Sequence, residues 1–271
     1  MVPEDIKRAR EHEEDLLRLE KFRPLDDTFM RVLFRDNLPL AQVVLRIITG
    51  MTDLTLTKEE TQKDLVRLVG ARGLCLDVLG IDSRQQQYDL EVQRANAGAR
   101  PERARYHAGA LDVENLNAGQ EFEELPTTYV IFITENDVFG TGEAIYSIDR
   151  INQKTGKLFN DRQHILYVNG SYQGDDEIRK LMHDFRCSNP DDMFFKQMAD
   201  KTRYLKKDPK GVQTMCQIME DLRIEAEERS KEQTLLESIK ALMENLKLSA
   251  TQAMEALNIP VKEQEKYASK L

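Results

Sequence analysis

The chain has little of what builds covalent or metal-bound scaffolds. Its 271 residues include three cysteines, Cys75, Cys187 and Cys216. The number is odd, the spacing is wide, and no C-x-x-C pair occurs, which argues against a disulfide framework and a zinc module and points to a reducing cytoplasm. The four histidines, His12, His107, His164 and His183, form no H-E-x-x-H or similar cluster. No run approaches the roughly 18 apolar residues of a membrane span; the longest, such as Tyr129–Ile133, have strand length. The opening residues, Met-Val-Pro-Glu-Asp-Ile-Lys-Arg, lack the apolar segment of a signal peptide. There is no internal repeat and no low-complexity tract. Positive charge is also short, with 39 Lys and Arg against 48 Asp and Glu, a net charge of −9. That total has the wrong sign for contact with phosphates, but local patches decide binding. Residues 1–20 carry seven acids against four bases, and residues 220–233 six against three. By contrast Arg94, Arg100, Arg103 and Arg105 fall in one short stretch beside Glu102 alone.

What remains is a charged chain with 40% hydrophobic residues and a mixed pattern. Residues 1–20 read as a surface helix or a frayed lead-in. Pro24–Thr28 is a helix-start signal, with Asp26 and Asp27 as candidate N-caps before Phe29, Val32, Leu33 and Phe34. Asn37-Leu-Pro39 interrupts that helix, Leu40–Ile48 gives a second, and Gly50 ends it. The period then changes. Arg67–Ile81 and Gln87–Gln93 read as strands around a turn at Ser83-Arg-Gln85. Pro101 opens a helix to about Asn117. Thr127–Thr134 reads as a buried strand, and Ala144–Ile148 and His164–Val168 as shorter ones. From residue 174 the pattern is helical: Asp175–Phe185, Pro190–Leu205, Gly211–Arg229, Thr234–Leu246, and a short helix opened by the capping box Ser249–Gln252 and ended near Asn258 and Pro260. The order is that of a mixed α/β protein.

The informative window is the predicted hairpin. With a period of two, Leu74, Leu76 and Val78 share one face with Tyr88, Leu90 and Val92, toward the core. Asp77 then shares the opposite face with Asp89, Glu91 and Gln93. A loop centred on Arg84 sets Asp77 directly opposite Glu91. Such pairs have Cβ atoms roughly 4.5–5.5 Å apart, and like charges there destabilise the hairpin. Two readings of this face stand side by side. It is a solvated polar strand face, or a site for Mg²⁺ or Mn²⁺ with oxygen ligands from Asp77, Glu91 and the carbonyl of Val92. Gln93 would orient water or touch phosphate from the same face. Arg94, Arg103 and Arg105 follow at once, as phosphate contacts or as bases paired with Glu102 and Asp112.

These residues together resemble the PD-(D/E)xK nuclease superfamily, and within it the Rpn group, recombination-promoting nucleases often labelled transposases. Leu76-Asp77-Val78 matches the first motif element. Glu91-Val92-Gln93 matches the second, with glutamine where most of the superfamily has lysine. Arg103-Ala-Arg105-Tyr106 matches the arginine and tyrosine of the following helix; the group usually has two tyrosines there, whereas this sequence has Tyr106-His107. Asp27-Thr-Phe-Met30, Leu125–Glu135, His164–Gly170 and Leu181–Phe185 extend the likeness over about residues 25–220.

The resemblance implies a restriction-endonuclease-like core of helix, β-hairpin strands, helix and strand, with an added helical C-terminal region. It divides the chain into a lead-in helix (1–20), the nuclease-like core (21–175), a helical extension (176–231) and a C-terminal helical hairpin (232–271). It implies a Mg²⁺- or Mn²⁺-dependent DNA endonuclease, a phosphodiester hydrolase associated with recombination or mobile DNA, with no membrane partner. Asp77 and Glu91 would be metal ligands, Gln93 would stand in the lysine position, and Asp27 or Asp26 is the candidate for a further acid on the first core helix. Arg94, Arg103, Arg105 and Tyr106 would face DNA. The glutamine implies slow turnover, and an alternative is a silent nuclease-fold module that binds DNA or regulates. The last 40 residues resemble a helix-turn-helix only in outline. Thr251–Leu257 has no base, which favours packing or homodimerisation over reading DNA.

Overall fold

The structure is a computed structural model that describes residues 4–65 and 74–271. The part of the predicted first strand from Arg67 to Gly73 lies outside these residues. Nine α-helices and six strands are present among them: α1 (Glu4–Lys21), α2 (Asp27–Phe34), α3 (Leu38–Thr49), β1 (Leu56–Leu65), β2 (Leu74–Asp82), β3 (Gln87–Gln93), α4 (Pro101–Asn115), β4 (Thr128–Thr134), β5 (Ile145–Ile148), β6 (Gln163–Asn169), α5 (Glu177–Arg186), α6 (Lys196–Lys207), α7 (Pro209–Leu246), α8 (Ala250–Ala256) and α9 (Val261–Ala268). The helix boundaries follow local chemistry. Asn37 caps α3 by accepting from the Leu40 N–H, and Gly50 closes it in the left-handed region at φ 72°. Asp176 caps α5 through the Arg179 N–H, and Ser249 and Gln252 form a reciprocal capping box on α8.

The strands form one mixed sheet in the order β1-β2-β3-β4-β6-β5. The β1-β2-β3 part is an antiparallel meander, β4 and β6 run parallel to β3, and β5 returns antiparallel at the edge. Strand β1 is absent from the sequence expectations. Its residues, Leu-Thr-Lys-Glu-Glu-Thr-Gln-Lys-Asp-Leu, show no apolar alternation. An edge strand needs only one neighbour, and a charged edge resists further pairing.

The expected core face holds for only part of the hairpin: Leu74 and Leu76 pack in the same cluster as Leu79 and the α4 alanines, so the alternation of β2 breaks before Leu79, where Gln62 of β1 takes φ 55° and the β1 ladder skips Asp77. A Cβ on Gly80 would stand 3.2 Å from Leu56 and 3.3 Å from Leu45 of α3, so glycine lets that helix approach the sheet. The opposite face is not solvated. The parallel pairing of β3 with β4 requires a crossover, and α4 makes it, packing its alanines on Leu79, Val130 and Phe132. Asp89 and Glu91 are therefore fully buried.

The chain divides into two compact units, residues 1–212 and 213–271. Helices α5 and α6 pack against α2 and α3 within the first. The second holds a small core of Ile239, Ala253, Met254, Ile259 and Tyr267. One helical expectation needs correction. Gly211–Arg229 and Thr234–Leu246 are one continuous helix, α7, because the residues between them include neither proline nor glycine. The hydroxyls of Thr234 and Ser238 bond back to carbonyls one turn earlier. The short helix after Ser249 ends at Ala256, close to the expected Asn258 and Pro260, and Pro260 then precedes one further helix, α9.

The hairpin register rests on Asp82. Its buried carboxylate accepts from the Arg84 and Gln86 N–H groups at 2.9 and 2.8 Å and from the Tyr88 hydroxyl at 3.2 Å. Asp82→Ala leaves the two turn N–H groups without their carboxylate and is expected to lower unfolding stability by about 2–3 kcal/mol in urea denaturation. An unchanged midpoint would show that the turn holds without it.

Candidate active site

The β2–β3 ladder pairs Ile81 with Gln87, Gly80 with Tyr88, Leu79 with Asp89 and Val78 with Leu90. The next position in this register sets Asp77 against Glu91, as the sequence implies, but the paired ladder stops one step short. Side chains take over there. The Asp77 N–H donates to Glu91 Oε1 at 2.9 Å, and the Val92 N–H donates to Asp77 Oδ2 at 3.1 Å. Each carboxylate thus accepts a backbone N–H of the opposite strand, which offsets the repulsion expected of facing acids.

Helix α4 closes the site from the other side. Arg103 Nη2 donates to Glu91 Oε2 at 3.0 Å, and its Nε donates to His107 Nε2 at 3.3 Å. His107 Nδ1 lies 2.8 Å from Asp89 Oδ2 and 3.8 Å from Glu91 Oε1. Because Nε2 accepts from Arg103, the ring proton belongs on Nδ1 and is donated to Asp89. The second oxygen of Asp89, Oδ1, is buried with no hydrogen-bond partner among the described residues.

Three carboxyls thus lie close together in a buried place, with Arg103 bonded to Glu91 alone, and their affinities for protons follow. Burial, then repulsion from Asp77, pushes Asp89 up to about 8. Burial, then Asp89 and Asp77, pushes Glu91 up to about 9. Burial raises Asp77 as well and holds His107 below its ordinary value. Such a cluster takes up protons or a cation.

A cleft of about 270 Å³ opens beside it, lined in part by Asp27, Gln62, Asp77, Gln93, Arg94 and Arg103. Asp27 is at the first turn of α2, and Arg31 is its ion-pair partner at 3.0 Å. Neither aspartate caps that helix: Asp26 occupies the cap position without a capping bond and instead accepts from the Arg23 N–H at 2.8 Å. Arg94 is engaged by Asp26 at 2.9 Å and Glu135 at 3.3 Å. Arg105 is exposed with no ion pair among the described residues, and Tyr106 is partly exposed. Asp112 pairs with Gln163 rather than with a base of α4. The Gln93 amide lies against Gly98, where a Cβ would stand 2.1 Å from its Oε1.

Sequence reasoning left out Gln62. It follows Thr61, which pairs with Val78, and its Nε2 is buried without a partner among the described residues. An unrecognised strand hid it. Cys75 also lines the cleft, but burial raises its thiol to about 11, which suits no nucleophile at neutral pH.

Two oxygen-rich places here suit a cation. Asp77 and Val92 line the cleft and the wholly buried Glu91 accepts from the Asp77 N–H, whereas Asp89, Glu91 and His107 bring one ligand atom each within 4.8 Å of one another in the buried interior. A protein-family model described as a PD-(D/E)XK nuclease family transposase matches residues 42–243, about three quarters of the chain. The chain belongs to this family. It is a nuclease-fold protein of a family associated with mobile DNA, and PD-(D/E)XK nucleases use divalent metals. Curated proteins and solved structures give no match. No described helix is long and apolar enough to cross a membrane.

A pH dependence follows. Asp89 and Glu91 hold protons more tightly folded than unfolded, so the folded chain carries extra protons from about pH 4 upward. Stability therefore falls as pH rises through about 8 and 9. In metal-free buffer Tm is expected to drop by about 5 °C or more between about pH 5 and 9, and by much less in Asp89→Asn/Glu91→Gln. Equal slopes in parent and variant would contradict this.

Proposed function

We propose that the chain is a divalent-metal-dependent DNA endonuclease of the Rpn branch, hydrolysing phosphodiester bonds slowly in the cytoplasm in a process of recombination or mobile DNA. The observation that carries the reading is the meeting of Asp77 and Glu91 where β2 and β3 part, beside an open cleft. Oxygen ligands alone suit a hard ion, so Asp77, Glu91 and the Val92 carbonyl fit Mg²⁺ or Mn²⁺. A cation held there would supply a lowered pKa for a nearby water and offset charge on the phosphate.

The chain's own groups supply the rest. Asp77 and Glu91 are fixed by backbone N–H groups. Gln93 faces the same cleft, where its amide donates to a phosphate oxygen or aligns water without a positive charge. Loss of a full charge beside the scissile phosphate costs orders of magnitude in rate, which supports slow turnover. Asp27, across the cleft, is positioned to accept a proton or hold an outer water through Arg31. Arg105 and Tyr106 offer exposed contacts for the DNA backbone, whereas Arg94 must leave Asp26 and Glu135 to do so.

A second reading, a silent module that binds DNA or regulates, draws on Gln93 and the net charge of −9. Plasmid nicking with Mg²⁺, Mn²⁺ and Ca²⁺ separates the two. Nicking is expected with Mg²⁺ and Mn²⁺ and is expected to vanish in Asp77→Ala/Glu91→Ala. A parent that binds Mn²⁺ but never nicks would favour the silent module. We further propose that the C-terminal helices mediate a homodimer. Deletion of residues 232–271 should halve the mass in solution, and a monomer before and after would remove that idea.

A further inference from the structure

His107 is wholly buried and lies outside the residues that border the cleft, yet it touches both the acids and the base of the site. Its Nδ1 faces Asp89 at 2.8 Å, and its Nε2 accepts from Arg103 Nε at 3.3 Å. A proton on Nε2 would face the Arg103 N–H, so the bond fixes both the tautomer and the ring orientation. Arg103 in turn gives Nη2 to Glu91 at 3.0 Å. Its Nη1 has no hydrogen-bond partner among the described residues, while the side chain lines the cleft that also holds Asp77 and Gln93. A long, mobile side chain is thereby held at two of its three nitrogens, and the third is left for a ligand.

We propose that His107, anchored on Asp89, is a positioning residue that locks Arg103 so that one edge of the guanidinium braces Glu91 and Nη1 meets the phosphate in the cleft. The charge missing at Gln93 is then supplied from α4. A planar guanidinium suits this role because it presents several donors in fixed geometry to two acceptors at once. The assignment rests on the nuclease reading for the identity of the phosphate but not for the Asp89–His107–Arg103 link. It also differs from a role for His107 as metal ligand. For Nδ1 to bind a cation it must lose its proton to Nε2, which then collides with Arg103.

The test uses the full chain and three substitutions, with folding checked by circular dichroism. His107→Phe removes both hydrogen bonds, His107→Gln restores an acceptor where Nε2 stands, and His107→Asn restores only the donor toward Asp89. In the nicking assay His107→Phe and His107→Asn should lower kcat about 10–100-fold with KM for DNA little changed, and His107→Gln should recover most of the loss. Mn²⁺, read by paramagnetic resonance, should still bind to all three variants, because no ligand is removed. Equal rates in all three variants would overturn the proposal, and so would abolished Mn²⁺ binding in His107→Phe, which makes the ring a ligand. If His107→Phe fails to fold, the His107→Gln and His107→Asn pair still decides. A readout free of activity is ¹⁵N resonance of the His107 ring in metal-free protein: the proton is expected on Nδ1, and its presence on Nε2 refutes the link. A parent that neither cuts DNA nor binds Mn²⁺ ends the nuclease reading, and the link then stands or falls on the tautomer.

Discussion

Burial of like charge is the constraint around which this molecule is arranged. Asp77, Asp89 and Glu91 are buried close together, and Arg103 of the crossover helix is the guanidinium that meets Glu91. Unpaired carboxylates in such surroundings are costly, and proteins meet the cost with protons, hydrogen bonds or cations. All three answers are prepared here. Backbone N–H groups bind Asp77 and Glu91, the imidazole binds Asp89, and the raised proton affinities of Asp89 and Glu91 mark the charge still uncompensated.

The fold reaches this arrangement through topology. A meander of β1, β2 and β3 brings the two motif acids together, and the switch from antiparallel to parallel pairing at β3 demands a helix over the opposite face. The helix that satisfies the chain's connectivity is therefore also the one that carries Arg103 and His107 to the acids. The opening of the ladder at Val78 and Leu90 frees the Asp77 and Val92 N–H groups for side chains, and it gives the cleft access to the site. A nuclease-type family placement agrees with this geometry, since metal-assisted attack on phosphorus needs closely held oxygen ligands beside an open position.

The local grammar of the chain already contained much of this. Apolar alternation in Tyr88–Val92 sets which side chains of β3 share a face, because strand side chains have a period of two, whereas in β2 the alternation breaks between Leu76 and Leu79. The short polar loop around Arg84 sets the register, and with it the meeting of Asp77 and Glu91. Gly50, Pro101 and the Ser249–Gln252 box mark helix ends through preferences that act within one turn. The mixed α/β class and the family motifs follow from the same short-range patterns.

Other features depended on contacts between distant segments. Strand β1 has no pattern of its own and exists because β2 offers it an edge. The polar face of β3 reads as solvated until α4 covers it, and the partners of Asp89 and of Arg94 come from elements far along the chain. His107 looks like an ordinary helix-face residue in sequence, and only the crossover places its ring between Asp89 and Arg103. The sequence by itself determined which acids can face each other, since spacing and register are local. The tertiary structure alone decided which base and which imidazole meet them, because that depends on how a helix lies across a sheet.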